Sequence, residues 1–197
     1  GIVGVAPNAQ TIFLHRVNSY KSDGEEIIGF DIIDHINYLS QQSCRVVNMS
    51  FFIANNGIAI KPDPLLEQTM RNLNNMLFVV AAGNTSDAAP GTYPQHYENL
   101  PNMIVVTNYQ QDGALFRTSS RGSFVDIAAP GTDILSTVYK VDQKNAYGFD
   151  TDGAASYAAP LVTATAALLL ERHPNLSGID MKNIITASAD VSDKISS

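Results

Sequence analysis

The chain has 197 residues, of which 45 % are hydrophobic and 16 % charged, so it can bury a real core and is too apolar for an unfolded chain. Its formal charge is −7, its basic residues are scattered, and a single cysteine, Cys44, excludes an internal disulfide or a Cys-built zinc site. Such a surface suits neither nucleic acid nor anionic membrane, and no apolar run approaches the roughly 20 residues that a membrane span needs.

The opening residues, Gly1-Ile2-Val3-Gly4-Val5-Ala6-Pro7, lack the charged lead-in of a signal peptide and read as a chain entered within a domain, at a loop leading to a strand. Residues 11–17 carry β-formers between turn residues and are expected to form a strand. Ser22-Asp23-Gly24 is a turn and helix-start signal, and Glu25 and Glu26 follow where they suit a helix dipole. Ile28, Ile32, Ile36 and Leu39 then recur at helical spacing, with Ile27 and Ile33 beside them. Residues 45–52 are strand-like again, and Cys44 just before them is expected to be a buried, unreactive thiol.

Pro62 to Pro64 opens a second helix, with Leu66, Met70, Leu73 and Leu77 on one face. Residues 77–82 form a continuous apolar run, the kind of strand that is buried on both faces of a parallel sheet. Strand, helix, strand, helix, strand predicts βαβ units in a three-layer α/β sandwich with a mostly parallel sheet. Residues 103–107 and 124–128 read as further strands, and residues 134–140 as a less buried one. Residues 156–173 have a helix pattern dense in Ala and Leu and apolar all round, hence buried. Residues 177–189 form a last amphipathic helix, with Met181, Ile184 and Ile185 inward. No composition shift marks an internal domain boundary.

Two places can carry chemistry. Asn84 follows Ala81-Ala82-Gly83 at the carboxyl end of an apolar strand, where open α/β sheets bind ligands. Its amide N–H can point at a developing oxyanion, or it can simply bond its own turn. Ser156 sits at the mouth of the buried helix among small residues, with Pro160 expected in the first turn. A serine there can be a nucleophile beside backbone N–H donors, or merely a helix cap.

Taken together and in order, the segments resemble the subtilisin-like serine proteases (subtilases). Gly4-Val5-Ala6-Pro7 resembles the family's entry to a sheet strand, and Val47-Asn48-Met49-Ser50 its cleft-lining strand. Val80-Ala81-Ala82-Gly83-Asn84 resembles the motif with the oxyanion-hole Asn, and Tyr93-Pro94 through Val106 the stretch after it. Ser119-Ser120-Arg121-Gly122 and Asp126-Ile127-Ala128-Ala129-Pro130-Gly131 resemble two further segments, and Ser156-Tyr157-Ala158-Ala159-Pro160-Leu161-Val162 the nucleophile motif. The resemblance covers nearly the whole chain and implies that residues 1–197 are the C-terminal portion of one subtilase-like catalytic domain, its N-terminal portion missing.

Carried over residue by residue, it implies that Ser156 is the nucleophile. The Asn84 side chain and the Ser156 N–H would form the oxyanion hole. Ser50, Phe51 and Phe52 would pair with an extended peptide, and Ala81, Ala82 and Gly83 would wall the specificity pocket. The family's Asp and His motifs precede the GVAP segment and are not found in this sequence. His15, His35, His96 and His173 do not replace them; His173 lies about 17 residues, roughly 25 Å at helical rise, beyond Ser156. The Asp and His are therefore expected from an N-terminal segment or a second chain. That segment, or self-association, would also cover an otherwise exposed sheet edge.

The site departs locally from the family pattern. Ala154-Ala155 replaces Gly-Thr, Tyr157 a Met, Leu161 a His, and Phe51-Phe52-Ile53 a Leu-Gly-Gly. These changes suit a narrow-specificity protease or, as the alternative, an inactive pseudoprotease that binds peptides or acts structurally. A generic α/β hydrolase is disfavoured by the absence of a G-x-S-x-G elbow. No cofactor is expected for catalysis. Structural Ca²⁺ occurs in such proteases, and Asp126, Asp150 and Asp152 are candidate oxygen donors, but no EF-hand spacing appears and solvated loop acids are the expected case. The resemblance implies a secreted or extracytoplasmic protein.

Overall fold

The apolar run Leu77–Ala81, β2, is buried at every residue, and the fold is built around it. The computed structural model describes residues 3–12, 14, 29–51, 63–86, 93–97, 100–137, 147–150 and 153–195. Within them β1 (Val46–Met49), β2, β3 (Met103–Tyr109) and β4 (Ile127–Pro130) make one parallel sheet in that order.

Successive side chains of a strand face opposite sides. Phe78, Val80 and Ala82 enter one core with Ile32, Ile36 and Leu39 of α1 (Gly29–Gln41) and Leu66 and Met70 of α2 (Pro64–Asn72). Leu77, Val79 and Ala81 enter the other, against Ala155, Ala158, Ala159, Val162 and Ala166 of α3 (Ala155–Arg172) and Met181 and Ile185 of α4 (Gly178–Ala187). Helices on both faces explain why β2 has no polar residue, and the result is the expected three-layer α/β sandwich. β5 (Ile134–Thr137) and β6 (Tyr147–Asp150) form a separate antiparallel ribbon, mostly exposed along β5.

Several boundaries differ from the sequence expectation. Of residues 11–17 only Thr11, Ile12 and Leu14 are described, and none lies in a strand; residues 22–28 are outside the described set. α2 ends at Asn72, so Leu77 belongs to β2 and not to the helix face. β4 starts at Ile127, because Val125 N–H closes a turn on Gly122 O at 3.1 Å and the Asp126 carboxylate accepts from Val105 N–H at 2.8 Å. α3 starts at Ala155, which places Pro160 in the second turn. Ile184 is 38 % exposed while Ile185 is buried, as a helical step of about 100° between neighbours requires.

At the amino ends of the strands polar side chains hold the loops shut. Arg45 donates to Asn75 O at 3.0 Å, to Pro174 O at 3.1 Å and to Leu176 O. The buried Asn102 donates to Met70 O, Leu73 O and Met76 O at 2.9, 3.0 and 3.1 Å. Gly178 is required where α4 meets this end: a Cβ there would lie 2.1 Å from Met76 O.

Candidate active site

The carboxyl ends of β1 and β2 converge on the amino terminus of α3. Gly131, just past β4, fixes that terminus: its carbonyl accepts from Ala154 N–H at 2.9 Å, and its N–H reaches Tyr109 O at 3.2 Å. A Cβ on Gly131 would meet Asn108 Cβ at 2.4 Å and Ala154 O at 2.7 Å, so only glycine lets the helix come this close.

Ala154 caps α3 without a side-chain hydrogen bond. The first-turn N–H groups of a helix need partners from elsewhere. Asn84 supplies one, its Oδ1 accepting from Ala155 N–H at 2.8 Å. Tyr157 N–H turns back to Ala154 O at 3.0 Å. Between them the Ser156 N–H has no acceptor among the described residues. With Oδ1 on Ala155 N–H, the Nδ2 edge of the amide is left for another acceptor, and Asn84 is exposed. Ser156 is half-buried, with Oγ donating to Ser50 O at 3.4 Å.

The loop bearing Asn84 is held from below. Gly83 has φ +111°, a left-handed conformation that favours glycine, and Ser120 N–H donates to its carbonyl at 3.1 Å. The buried Ser120 Oγ accepts from Thr85 N–H at 3.3 Å, and Thr107 Oγ1 donates to Ser120 O at 2.7 Å.

The structure thus brings Ser50, Phe51, Ala81, Ala82, Gly83, Asn84 and Ser156 to one end of the sheet; Phe52 lies outside the described residues. Ala81 and Ala82 are buried, Phe51 half-buried. Sequence reasoning missed Gln95, which is 2 % exposed. Its Nε2 donates to Phe51 O at 2.8 Å and to Ala81 O at 2.9 Å, bridging β1 and β2 where their ladder has ended. A glutamine after Tyr-Pro carries no local signal for such a bridge.

His35 lies in α1, His96 stacks on Phe124 with ring centroids 4.2 Å apart, and His173 caps the far end of α3; His15 is outside the described residues. Asp126 is engaged by Lys182 at 2.8 Å as well as by Val105 N–H. Among the described residues no three His, Cys, Asp or Glu side chains cluster as metal ligands. Asp152 and the Asp150 side chain are not described. Cys44 is half-buried and borders an open cleft of about 550 Å³ at the opposite end of the sheet. Cys44 is thus less buried than expected, because it stands in the loop before β1 and not in the strand, and what burial it has raises its thiol pKa.

A serine hydroxyl, an open N–H beside it and an exposed amide anchored to the same helix turn form an arrangement that serine hydrolases use for acyl transfer. Residues 1–197 match the Subtilase family, and the chain belongs to it. It is similar to thermitase of Thermoactinomyces vulgaris, 31 % identical over 100 % of this chain and 62 % of that protein. It also resembles a thermophilic serine proteinase of Bacillus sp. (strain AK1), 30 % identical over 96 % of this chain and 42 % of that protein. The chain therefore spans less than two thirds of the length of these relatives. A cold-adapted subtilisin-like serine proteinase shares the fold with a TM-score of 0.64, at 24 % identity over 84 % of this chain and 56 % of that one.

Proposed function

We propose that this chain carries the nucleophile and oxyanion hole of a serine endopeptidase. Ser156 Oγ attacks the peptide carbonyl, and the Ser156 N–H and Asn84 Nδ2 stabilise the oxyanion. Asp and His, from a segment or chain outside these 197 residues, activate the hydroxyl. The observation that supports this best is the open Ser156 N–H next to an Asn84 amide anchored on Ala155. Ser50 and Phe51 would take an extended peptide on one side, Ala81 to Gly83 on the other, and Gln95 would form part of the floor between them. Catalysis uses no metal or cofactor in this reading, and, on the family resemblance, the protein works outside the cytoplasm.

A second reading, a pseudoprotease that binds peptides without turnover, draws support from Ala154-Ala155 in place of Gly-Thr and from Phe51-Phe52 in the cleft strand. A fluorophosphonate probe followed by intact mass separates the two. Label on Ser156 of the full-length protein, absent from Ser156→Ala, supports the protease. A folded, peptide-binding protein that takes no label overturns it.

A further inference from the structure

Proline at position 160 has a consequence one turn back. Lacking an N–H, Pro160 cannot donate to the carbonyl four residues earlier, which is that of Ser156. The donor comes instead from β1: Ser50 Oγ–H donates to Ser156 O at 3.1 Å. A hydroxyl has one proton, so for Ser50 to aim it there its oxygen should face a donor, and Asn48 Nδ2 provides one at 2.9 Å. The other edge of that amide, Asn48 Oδ1, accepts from Thr163 Oγ1 at 3.2 Å. Thr163 also lies 2.9 Å from Ala159 O and shares its proton between the two. The path leaves α3 at Thr163, crosses β1 and returns to α3 at Ser156. With the Asn48 amide turned over, its oxygen would take the Ser50 proton and Ser156 O would lose its donor, so the orientation with Nδ2 on Ser50 is the one that supplies Ser156 O.

We propose that Asn48 is a positioning residue for Ser156, acting through Ser50 and anchored by Thr163. The Ser50 hydroxyl, so oriented, replaces the N–H that Pro160 lacks and fixes the turn that carries both the Ser156 side chain and its N–H. Asn48 itself touches neither substrate nor Ser156. The inference rests on the reading of Ser156 as nucleophile.

The test is steady-state kinetics of the full-length protein on a fluorogenic peptide, with active sites counted by fluorophosphonate titration. Asn48→Ala removes both hydrogen bonds of the amide, the one to Ser50 being the one that orients Ser156, and should lower kcat about 3- to 10-fold, with KM within about twofold. Thr163→Val, a milder change, should act in the same direction by about twofold. It serves as the test if Asn48→Ala fails to fold. Pro160→Ala gives residue 160 an N–H for Ser156 O, so in that background Asn48→Ala should lose most of its effect. An unchanged kcat per active site, a change in KM alone, or an equal loss in both backgrounds overturns the positioning role. A wild-type protein that neither labels at Ser156 nor turns over overturns the nucleophile reading, and this inference with it.

Discussion

The two ends of the parallel sheet use the same chemistry to opposite purposes. At the amino end, Arg45 and Asn102 each give their N–H groups to three backbone carbonyls, and Gly178 packs backbone on backbone. These donors close on the protein's own backbone. At the carboxyl end, Asn84 uses only its oxygen on the protein, at Ala155 N–H, and the Ser156 N–H beside it has no acceptor among the described residues. Backbone polar groups are nearly always paired when buried, so an open donor survives where water or a ligand can reach it. The difference separates residues that hold the sheet from residues left available for chemistry.

Ser156→Ala should break that contrast most visibly. Its hydrogen bond to Ser50 O is long, at 3.4 Å, so stability should stay within about 0.5 kcal/mol of wild type. Turnover should fall on the order of 10⁶-fold, a figure taken over from subtilisin, where losing the nucleophile costs this much. Peptide hydrolysis and a thermal melt on the same preparation check both halves.

Asn84 divides the two functions within one side chain. Asn84→Ala removes donor and acceptor together, and should lower kcat about 10²–10³-fold, again the subtilisin magnitude. It should also cost about 1 kcal/mol through the lost cap on Ala155 N–H. Asn84→Asp keeps an oxygen for Ala155 N–H and loses only the outward donor. Its melt should stay near wild type while kcat falls at least as far as for alanine. Equal melting losses for both variants would mean that the amide's outward edge has a structural role.

The amino end should respond in reverse. Asn102→Ala takes a donor from three carbonyls; Met70 O and Leu73 O keep the N–H groups of Leu73 and Met76, Met76 O keeps no other among the described residues, and the change should cost about 2–3 kcal/mol. For a chain of this size that lowers Tm on the order of 10 °C. kcat per titrated active site should not change, because the lesion lies at the other end of the sheet. A kcat loss as large as that of Asn84→Ala would show that the ends are coupled.

The middle of the fold was legible because β2 is apolar throughout, and α1 and α2 show helical spacing. For α3 the expectation of burial all round is corrected: only the face of Ala155, Ala158, Ala159, Val162 and Ala166 is buried, and Leu168 and Tyr157 are exposed, because one face of the helix packs on the sheet and the other does not. Where local chemistry overrides pattern, the reading slipped. Asp126 is drawn into a bond with Val105 N–H and delays β4, and the start of α3 at Ala155 moves Pro160 into the second turn. Asn84 and Ser156 were legible as candidates because each stands in a short motif at an element's end. Gln95, Asn48 and Thr163 were not. Asn48 and Thr163 meet across 115 residues through the direction of one amide, and nothing in composition or periodicity encodes such a pairing.

The smallest expected effect sharpens the account of the amino end. α4 begins there with a reciprocal cap: Ser177 Oγ accepts from Asp180 N–H at 3.1 Å, and the Asp180 carboxylate accepts from Ser177 N–H at 2.9 Å. The Ser177 hydroxyl also donates to that carboxylate at 2.7 Å, and these bonds, the hydroxyl first, hold the Asp180 pKa below its usual value. A depressed carboxylate pKa stabilises the fold above the unfolded value of about 3.9, and the contribution fades as pH falls through the folded value. Ser177→Ala should cost about 1 kcal/mol at neutral pH, less than Asn102→Ala because this cap is exposed to water. Its Tm deficit should narrow below about pH 4 without closing, since the bond from Asp180 N–H to the hydroxyl does not titrate. A deficit that stays constant down to pH 2 would mean that the carboxylate contributes nothing. The cap's share of the amino end would then be the backbone bond alone.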